Sequence, residues 1–96
     1  KPAQPCLSSR FPYGYEITQK RLKMIEEAEE YIKNFGIEEV RVRCQGTSAR
    51  IEIPKDEIQT FINLYNPDEL IKFFFKLGFK SASLDLEGLV SGKLNR

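Results

Sequence analysis

A cysteine and an arginine stand four positions apart near the start of the chain, and together they could carry reactive chemistry. Cys6 and Arg10 lie in the stretch KPAQPCLSSRFPYG, which contains three prolines and shows no helical or strand periodicity. The prolines stiffen this stretch because their rings fix φ and restrict the residue before them. A guanidinium beside a thiol favours the thiolate, which is the reactive form of cysteine. The pattern predicts an ordered loop with a reactive Cys6; the alternative is an interdomain linker with an incidental thiol.

The composition excludes several other kinds of site. The chain has 96 residues, two cysteines and no histidine, which rules out a histidine base, a Cys–His pair and histidine metal ligands. The cysteines are too few for a disulfide framework and lack zinc spacings, so we expect no metal site and a reducing, cytoplasmic location. Cys44 alternates with valines and is expected to be a small buried thiol. The net charge of +1 favours neither nucleic acid nor a membrane surface, so anion recognition must depend on locally placed arginines.

The first predicted helix places a carboxylate among its apolar residues. The helix is expected to begin after an N-cap at Thr18 and to run to about Phe35, before a glycine. Its apolar residues recur at spacings of three and four, and they are Leu22, Ile25, Ala28, Ile32 and Phe35. At about 100° per residue, Glu29 projects within this apolar stripe. Glu29 is therefore predicted either to pair with Lys33 at the rim or to meet an arginine from the loop or the sheet.

Two arginines are expected on the sheet face opposite the core. Arg41 and Arg43 alternate with valines in a strand pattern, and residues two apart on a strand lie about 6.5–7 Å apart. Two guanidiniums at that spacing could bracket one phosphate or carboxylate. The alternative is an exposed face with cross-strand ion pairs, because Arg50 and Glu52 of the next strand share it.

The order loop, helix, strand, strand, helix pair, strand predicts an α+β fold. The strands are expected at residues 39–44, 49–53 and 79–86. We predict a three-stranded antiparallel sheet in the order 2-1-3, with the two arginines on the central strand and helices packed on one face. Ala82, Leu84 and Leu86 of the third strand are expected to face the core.

The chain is expected to contain one folded domain between two irregular segments. We predict a Cys-containing interdomain loop at residues 1–16, a single α+β domain at 17–88 and a flexible tail at 89–96. Because the chain begins with lysine in a loop, we expect it to be a fragment of a longer protein. The run Phe73–Phe75 is apolar on more than one face, which predicts that part of it forms an interface with another domain or subunit.

Several motifs occur together along the chain. They are PCLSSRFPYG (residues 5–14), IT (17–18), VRVR (40–43), ARIE (49–52), GF (78–79) and LDLEG (84–88). Together they resemble the C-terminal region of the ATP-dependent sacrificial sulfur transferases, the LarE-like branch of the PP-loop ATP pyrophosphatases. The resemblance implies a missing N-terminal PP-loop domain that binds ATP with Mg²⁺. It also implies the chemistry of the whole protein, in which a cysteine sulfur is transferred to an adenylylated pyridinium carboxylate mononucleotide during nickel-pincer cofactor synthesis.

The resemblance also implies roles for individual residues. Cys6 would be the sulfur donor, and Glu29 would serve near the reacting cysteine. Arg41 and Arg43 would bind the substrate phosphate. Ser9 and Arg10 would help to hold the loop and the nucleotide with its phosphate. Val90 stands where many relatives carry a basic residue, so the resemblance does not extend to a phosphate contact from the tail.

The implied partners are the PP-loop domain, a small-molecule nucleotide and further copies of the protein in a homo-oligomer. One alternative stays open, a non-catalytic oligomerisation or substrate-binding module of another PP-loop ATP pyrophosphatase, such as a tRNA-modifying or amidating enzyme. A phosphatase-like or rhodanese-like loop fits less well, because no helix directly follows Arg10 to direct its dipole at an anion.

Overall fold

The described part of the chain has an α+β fold, with three α-helices and a three-stranded sheet. The structure is a computed structural model and describes residues 10–11 and 17–90. In chain order its elements are α1 (Gln19–Lys33), β1 (Arg41–Gln45), β2 (Ser48–Glu52), a 3₁₀ turn (Lys55–Glu57), α2 (Ile58–Leu64), α3 (Pro67–Leu77) and β3 (Ser81–Leu84). Among the described residues, no helix is both long and apolar enough to cross a lipid bilayer.

The helix ends follow the capping residues of the sequence. The Thr18 hydroxyl accepts a hydrogen bond from the backbone N–H of Arg21 at 3.1 Å, which confirms the predicted N-cap of α1. The helix ends at Lys33, slightly before the predicted end near Phe35. At α3, the Asn66 side chain accepts from the Glu69 N–H at 3.0 Å.

The predicted sheet order was wrong. The strands lie in the order β1-β2-β3, with β1 and β2 antiparallel and β2 and β3 parallel. A tight turn at Gly46 joins the first pair, whereas the helical crossover returns the chain in the direction of β2. The third strand pairs with β2 because the other edge of β1 is already occupied by Arg10 and Glu29, as described below. Consequently Arg41 and Arg43 lie on an edge strand and not on the central strand.

The face of the sheet that was predicted to be apolar does form the core. The residues Val40, Val42, Cys44, Ala49, Ile51 and Ile53 are all buried. On β3, Ala82 and Leu84 are partly buried against this core. The prediction for Leu86 was wrong, since its side chain is 73% exposed. The strand ends at Leu84, and the chain then turns so that the Leu89 N–H donates to the Ile53 carbonyl at 2.9 Å.

The phenylalanine run of α3 divides between core and surface. Phe74 is fully buried, and Phe73 stacks on Tyr31 of α1 with ring centroids 4.8 Å apart. Phe75 is 56% exposed. Most of the run therefore joins α3 to the core and to α1, while the predicted interface at Phe75 stays a prediction.

Candidate functional site

The structure describes four of the six predicted site residues. Arg10, Glu29, Arg41 and Arg43 lie within the described ranges. Cys6 and Ser9 lie outside the described residues, so their roles stay predictions.

Arg10 and Glu29 form a buried ion pair that joins the loop to α1. The Arg10 Nε donates to Glu29 Oε2 at 2.8 Å, and Nη2 donates to Oε1 at 3.1 Å. Both residues are only 7% exposed. The prediction that Glu29 meets an arginine from the loop is thereby confirmed, and the alternative of a rim pair with Lys33 is not what the fold adopts. Paired guanidinium–carboxylate hydrogen bonds of this kind fix direction as well as distance.

The same pair covers the outer edge of β1. The Val42 N–H donates to Glu29 Oε2 at 2.9 Å, and the Cys44 N–H donates to the Arg10 carbonyl at 2.9 Å. An edge strand normally leaves such amides open to another chain. Here the carboxylate and the loop backbone take the place of a neighbouring strand, and Phe11 is buried beside them at 4% exposure. Arg10, four residues after Cys6 in the sequence, is thus anchored along β1. We call the Arg10–Glu29 pair with its bonds to β1 the edge clamp.

Every side-chain polar group in the edge clamp has a partner. Burying an ion pair costs free energy unless further hydrogen bonds satisfy its remaining atoms. Glu29 accepts three hydrogen bonds, two from Arg10 and one from Val42. Within residues 10–11 and 17–90, no buried side-chain nitrogen or oxygen lacks a hydrogen-bond partner. The clamp is therefore a satisfied structural element, and it places Glu29 between Arg10 and β1.

The opposite face of the sheet contains a second buried carboxylate. Glu52 is fully buried, although the alternation of β2 assigned it to the outer face. Its Oε1 accepts from Arg43 Nε at 3.0 Å, and its Oε2 accepts from Arg50 Nε at 3.2 Å. Arg50 also lies 3.6 Å from Asp85. The predicted cross-strand ion pair between β1 and β2 is confirmed at Arg43, and it explains how a carboxylate is tolerated here.

The two predicted phosphate-binding arginines differ in their surroundings. Arg43 is held by Glu52, with its side chain 11% exposed. Arg41 donates from Nη1 to the carbonyl of the preceding Val40 at 3.1 Å. Among the carboxylates of the described residues, none forms an ion pair with Arg41. Of these two arginines, Arg41 is therefore the one whose charge is not balanced by a carboxylate of the described residues.

The edge clamp is bonded to residues of β1 that are the immediate neighbours of Arg41 and Arg43. The Val42 amide holds Glu29, while Arg41 and Arg43, on either side of it, extend from the other face. Consecutive Cα atoms are about 3.8 Å apart, so the loop attachment and the arginine face share one short stretch of strand.

The second cysteine is not suited to nucleophilic chemistry. Cys44 is fully buried, and its Sγ lies 3.6 Å from the Gly46 carbonyl oxygen. Burial raises the pKa of the Cys44 thiol, and the positive charge of Arg21 opposes this only in part. The prediction of a small buried thiol is confirmed. Across residues 10–11 and 17–90, no group of three or more cysteine, aspartate or glutamate side chains is placed to hold a metal ion.

Sequence reasoning missed the role of Glu52. The residue was assigned to an exposed face because the alternation in SARIE places it opposite the apolar side chains. The available signal was the charge pattern, since one glutamate faces three arginines on two adjacent strands. A single carboxylate among so many guanidiniums is a candidate for burial between them.

Comparison with known proteins gives relatives over nearly the whole chain. The chain is 52% identical over 96 residues to an uncharacterized protein of Synechocystis sp., covering 36% of that protein. It is 39% identical over 95 residues to the pyridinium-3,5-bisthiocarboxylic acid mononucleotide synthase of Lactiplantibacillus plantarum, covering 34% of that enzyme. An uncharacterized protein of Methanocaldococcus jannaschii is 40% identical over 86 residues, with 33% of its length covered. No protein-family model matches the chain.

The chain matches only one part of each of these longer relatives. The chain spans about a third of the length of the curated relatives that it matches. The similarity to the synthase covers 99% of the chain, which includes the cysteine loop, α1 and all three strands. The chain is therefore similar, along nearly its entire length, to one third of an enzyme named for making a pyridinium bisthiocarboxylic acid mononucleotide.

Proposed function

We propose that the chain is the C-terminal part of an ATP-dependent sulfur transferase that acts on a pyridinium carboxylate mononucleotide in nickel-pincer cofactor synthesis. The observation that carries the proposal is the 39% identity to the synthase over 95 residues. That relative is named for a product with thiocarboxylate groups, and the sulfur in them needs a donor. The chain offers two thiols, and Cys44 is buried with a raised pKa. Cys6 is therefore the proposed donor.

The proposed reaction balances without an external oxidant or reductant. ATP and the substrate carboxylate give an acyl adenylate and pyrophosphate. The Cys6 thiolate attacks the acyl carbon and displaces AMP, which forms a thioester. A base removes the Cα proton of Cys6, and those electrons form the Cα=Cβ double bond. The Cβ–S bond breaks and its electron pair leaves with the sulfur, so the protein keeps dehydroalanine and the product is a thiocarboxylate.

The edge clamp supports this proposal because it fixes Arg10, which stands close to Cys6 in the sequence. Arg10 follows Cys6 by four residues, and its side chain and backbone are both bonded to the fold. Glu29 accepts three hydrogen bonds, so its contribution near the cysteine is to hold Arg10 and β1 together. Ser9, next to Arg10, would share in fixing the loop and the nucleotide. In this account Glu29 positions the donor, and we propose no proton transfer to it.

The substrate phosphate would lie against the arginine face. Arg41 has no carboxylate partner among the described residues, which leaves its charge available to a phosphate monoester. Arg43, held by Glu52, would be a fixed neighbour of the same anion. ATP with Mg²⁺ would be bound by an N-terminal PP-loop domain outside this chain, in a homo-oligomeric cytoplasmic enzyme.

Mass spectrometry of the full-length protein tests the proposal directly. After incubation with ATP, Mg²⁺ and the pyridinium dicarboxylate mononucleotide, the peptide with Cys6 should be lighter by about 34 Da, the mass of H₂S. A Cys6→Ala variant should form no thiocarboxylate, whereas Cys44→Ala, which removes only the buried thiol, should retain the reaction. An unchanged mass of the Cys6 peptide after product formation would reject the sacrificial role.

A second function is favoured by one observation. Phe75 is 56% exposed and lines one surface groove together with Phe73, and a contiguous exposed apolar patch can mark a contact with a partner. The chain would then serve as an oligomerisation or substrate-binding module of another PP-loop enzyme. Light scattering on the chain and on a Phe75→Ser variant tests this. A monomer in both samples would count against the module.

A further inference from the structure

Three arginines and one glutamate form a four-cornered patch on the outer face of the β1–β2 hairpin. In the register of the two strands, Arg41 lies opposite Glu52 and Arg43 lies opposite Arg50. All four side chains share one face because they are separated by two residues along each strand. Like charges directly opposite each other, as at Arg43 and Arg50, destabilise a strand pair unless an anion lies between them.

Glu52 supplies that anion from the fourth corner. Its Oε1 lies 3.0 Å from both Nε and Nη2 of Arg43, which is its diagonal neighbour. Its Oε2 lies 3.2 Å from both Nε and Nη2 of Arg50, two residues before it on β2. Each oxygen thus takes one guanidinium. Among the described residues, the carboxylate forms its ion pairs with these two arginines and none with Arg41, although Arg41 is directly across the ladder.

This arrangement leaves the patch with a fixed centre and an excess of positive charge. Three arginines and one glutamate sum to +2, and the nearby Asp85, 3.6 Å from Arg50, lowers this to +1. The exposed fractions of the side chains are 0% for Glu52, 11% for Arg43 and 37% for Arg50. The buried carboxylate is therefore an anchor, and the half-exposed guanidinium of Arg50 is accessible to a ligand.

We propose that Glu52 is a positioning residue that holds Arg50 and Arg43 as arms of a phosphate-monoester site whose remaining arm is Arg41. The inference rests on the proposed function, because it takes the arginine face to be where a nucleotide phosphate binds. It adds Arg50 as a ligand contact and Glu52 as the residue that sets its direction. Hydrogen bonds from a guanidinium to a phosphate oxygen are strong and directional, and three guanidiniums held around one centre can share a single phosphate.

The role of Glu52 can be separated from its charge, because the two explanations predict opposite signs. If net charge alone attracted the anion, Glu52→Gln would raise the charge of the patch, with Asp85 included, from +1 to +2 and would strengthen binding. If Glu52 positions the arms, the variant weakens binding, because an amide offers only one acceptor oxygen. Its NH₂ group would face the N–H groups of one arginine, which would then turn away.

The test is a titration of the 96-residue chain with inorganic phosphate, followed by the Nε–Hε NMR signals of the arginines. Arg50→Gln and Glu52→Gln should each weaken phosphate binding by about tenfold, as expected for loss of a charge-assisted contact. The control is Lys72→Gln, which removes the same unit of charge from the exposed side of α3 and should change the Kd by less than about twofold. Binding by Glu52→Gln that is unchanged or tighter would overturn the proposal.

A second measurement decides the question if Glu52→Gln does not fold. Arg50 is half-exposed, so Arg50→Gln should retain the amide spectrum of the parent chain, and an effect no larger than that of Lys72→Gln would overturn the proposal. Titrations with nicotinic acid mononucleotide and AMP distinguish pyridinium from adenine nucleotides as the source of the phosphate. If neither shifts the Arg50 Nε–Hε signal, the site is not a phosphate-monoester site.

These outcomes are independent of the proposed sulfur chemistry. A Cys6 peptide of unchanged mass would reject sulfur donation, yet the phosphate titration could still support the three-armed site. Conversely, loss of about 34 Da at Cys6 with normal phosphate binding by Arg50→Gln would retain the sulfur transferase and reject the role of Arg50.

Discussion

Replacing the edge clamp by apolar side chains should show that Arg10 and Glu29 act as one unit. Arg10→Met leaves a buried carboxylate with only the Val42 amide as its donor, and Glu29→Leu leaves a buried guanidinium without its carboxylate. The two side chains are only 8% and 9% exposed, so solvent replaces little of the lost interaction. Each single variant should lose about 3–5 kcal/mol of unfolding free energy, as is typical when one partner of a buried pair is removed.

The double variant should be more stable than either single variant. With both charges replaced by apolar groups of similar size, neither ion is left buried alone, and such replacements are often close to neutral. The double variant is still destabilised in one respect, because the Val42 N–H loses Glu29 as its hydrogen-bond acceptor. An unsatisfied amide costs about 1–3 kcal/mol, so the double variant should lose about that much. The two substitutions are therefore expected to be strongly non-additive.

Urea unfolding of the four proteins, followed by circular dichroism, measures this cycle. The m-value should stay constant, because the surface exposed on unfolding hardly changes. Lys33→Gln serves as the control, since Lys33 is the exposed residue of the alternative rim pair. This variant should change the free energy of unfolding by less than about 0.5 kcal/mol. Single variants that lose less than about 1 kcal/mol, or a double variant that loses the sum of the two, would refute the clamp as a coupled buried pair.

Further predictions concern the glycine turns, the buried thiol and the arginine face. Gly88→Ala should lower the melting temperature more than Gly36→Ala; their φ angles are 87° and 91°, but only an added Cβ at Gly88 would meet backbone atoms, at 3.0 Å. Equal losses would contradict that packing argument. Because burial raises the pKa of Cys44, its contribution to stability is complete below the unfolded thiol pKa and is lost as the pH rises through the folded value; Cys44→Ala should flatten the fall in urea midpoint between pH 8 and pH 10. A parallel fall in both proteins would contradict this. Arg43→Gln should lose about 1–3 kcal/mol of unfolding free energy because it removes a donor from a buried carboxylate, whereas Arg41→Gln should lose less than about 0.5 kcal/mol. Thermal melts that show the reverse order would contradict the different roles assigned to the two arginines.

Local patterns in the sequence predicted most of the secondary structure. Thr18 and Asn66 cap helices where their side chains were expected to do so, because capping depends on atoms only two or three residues away. The alternation of β1 and β2 correctly separated the buried valines and isoleucines from the arginines. The odd position of Glu29 in an apolar stripe left two partners open, Lys33 or an arginine, and the structure shows the arginine.

The tertiary structure alone decided which arginine that partner is and how the strands are ordered. Strand order depends on which edge of the hairpin is open, and no local pattern records that the loop backbone and Glu29 occupy the edge of β1. Long-range packing also gives Arg41 and Arg43 their different surroundings, because the sequence places both arginines in the same alternating pattern. Only the packed sheet brings Glu52 within hydrogen-bonding distance of Arg43 and Arg50 and leaves Arg41 without a carboxylate among the described residues. Residue types and spacing thus determined the chemistry that the chain could offer, and long-range packing determined which charges are already paired and which can meet a ligand.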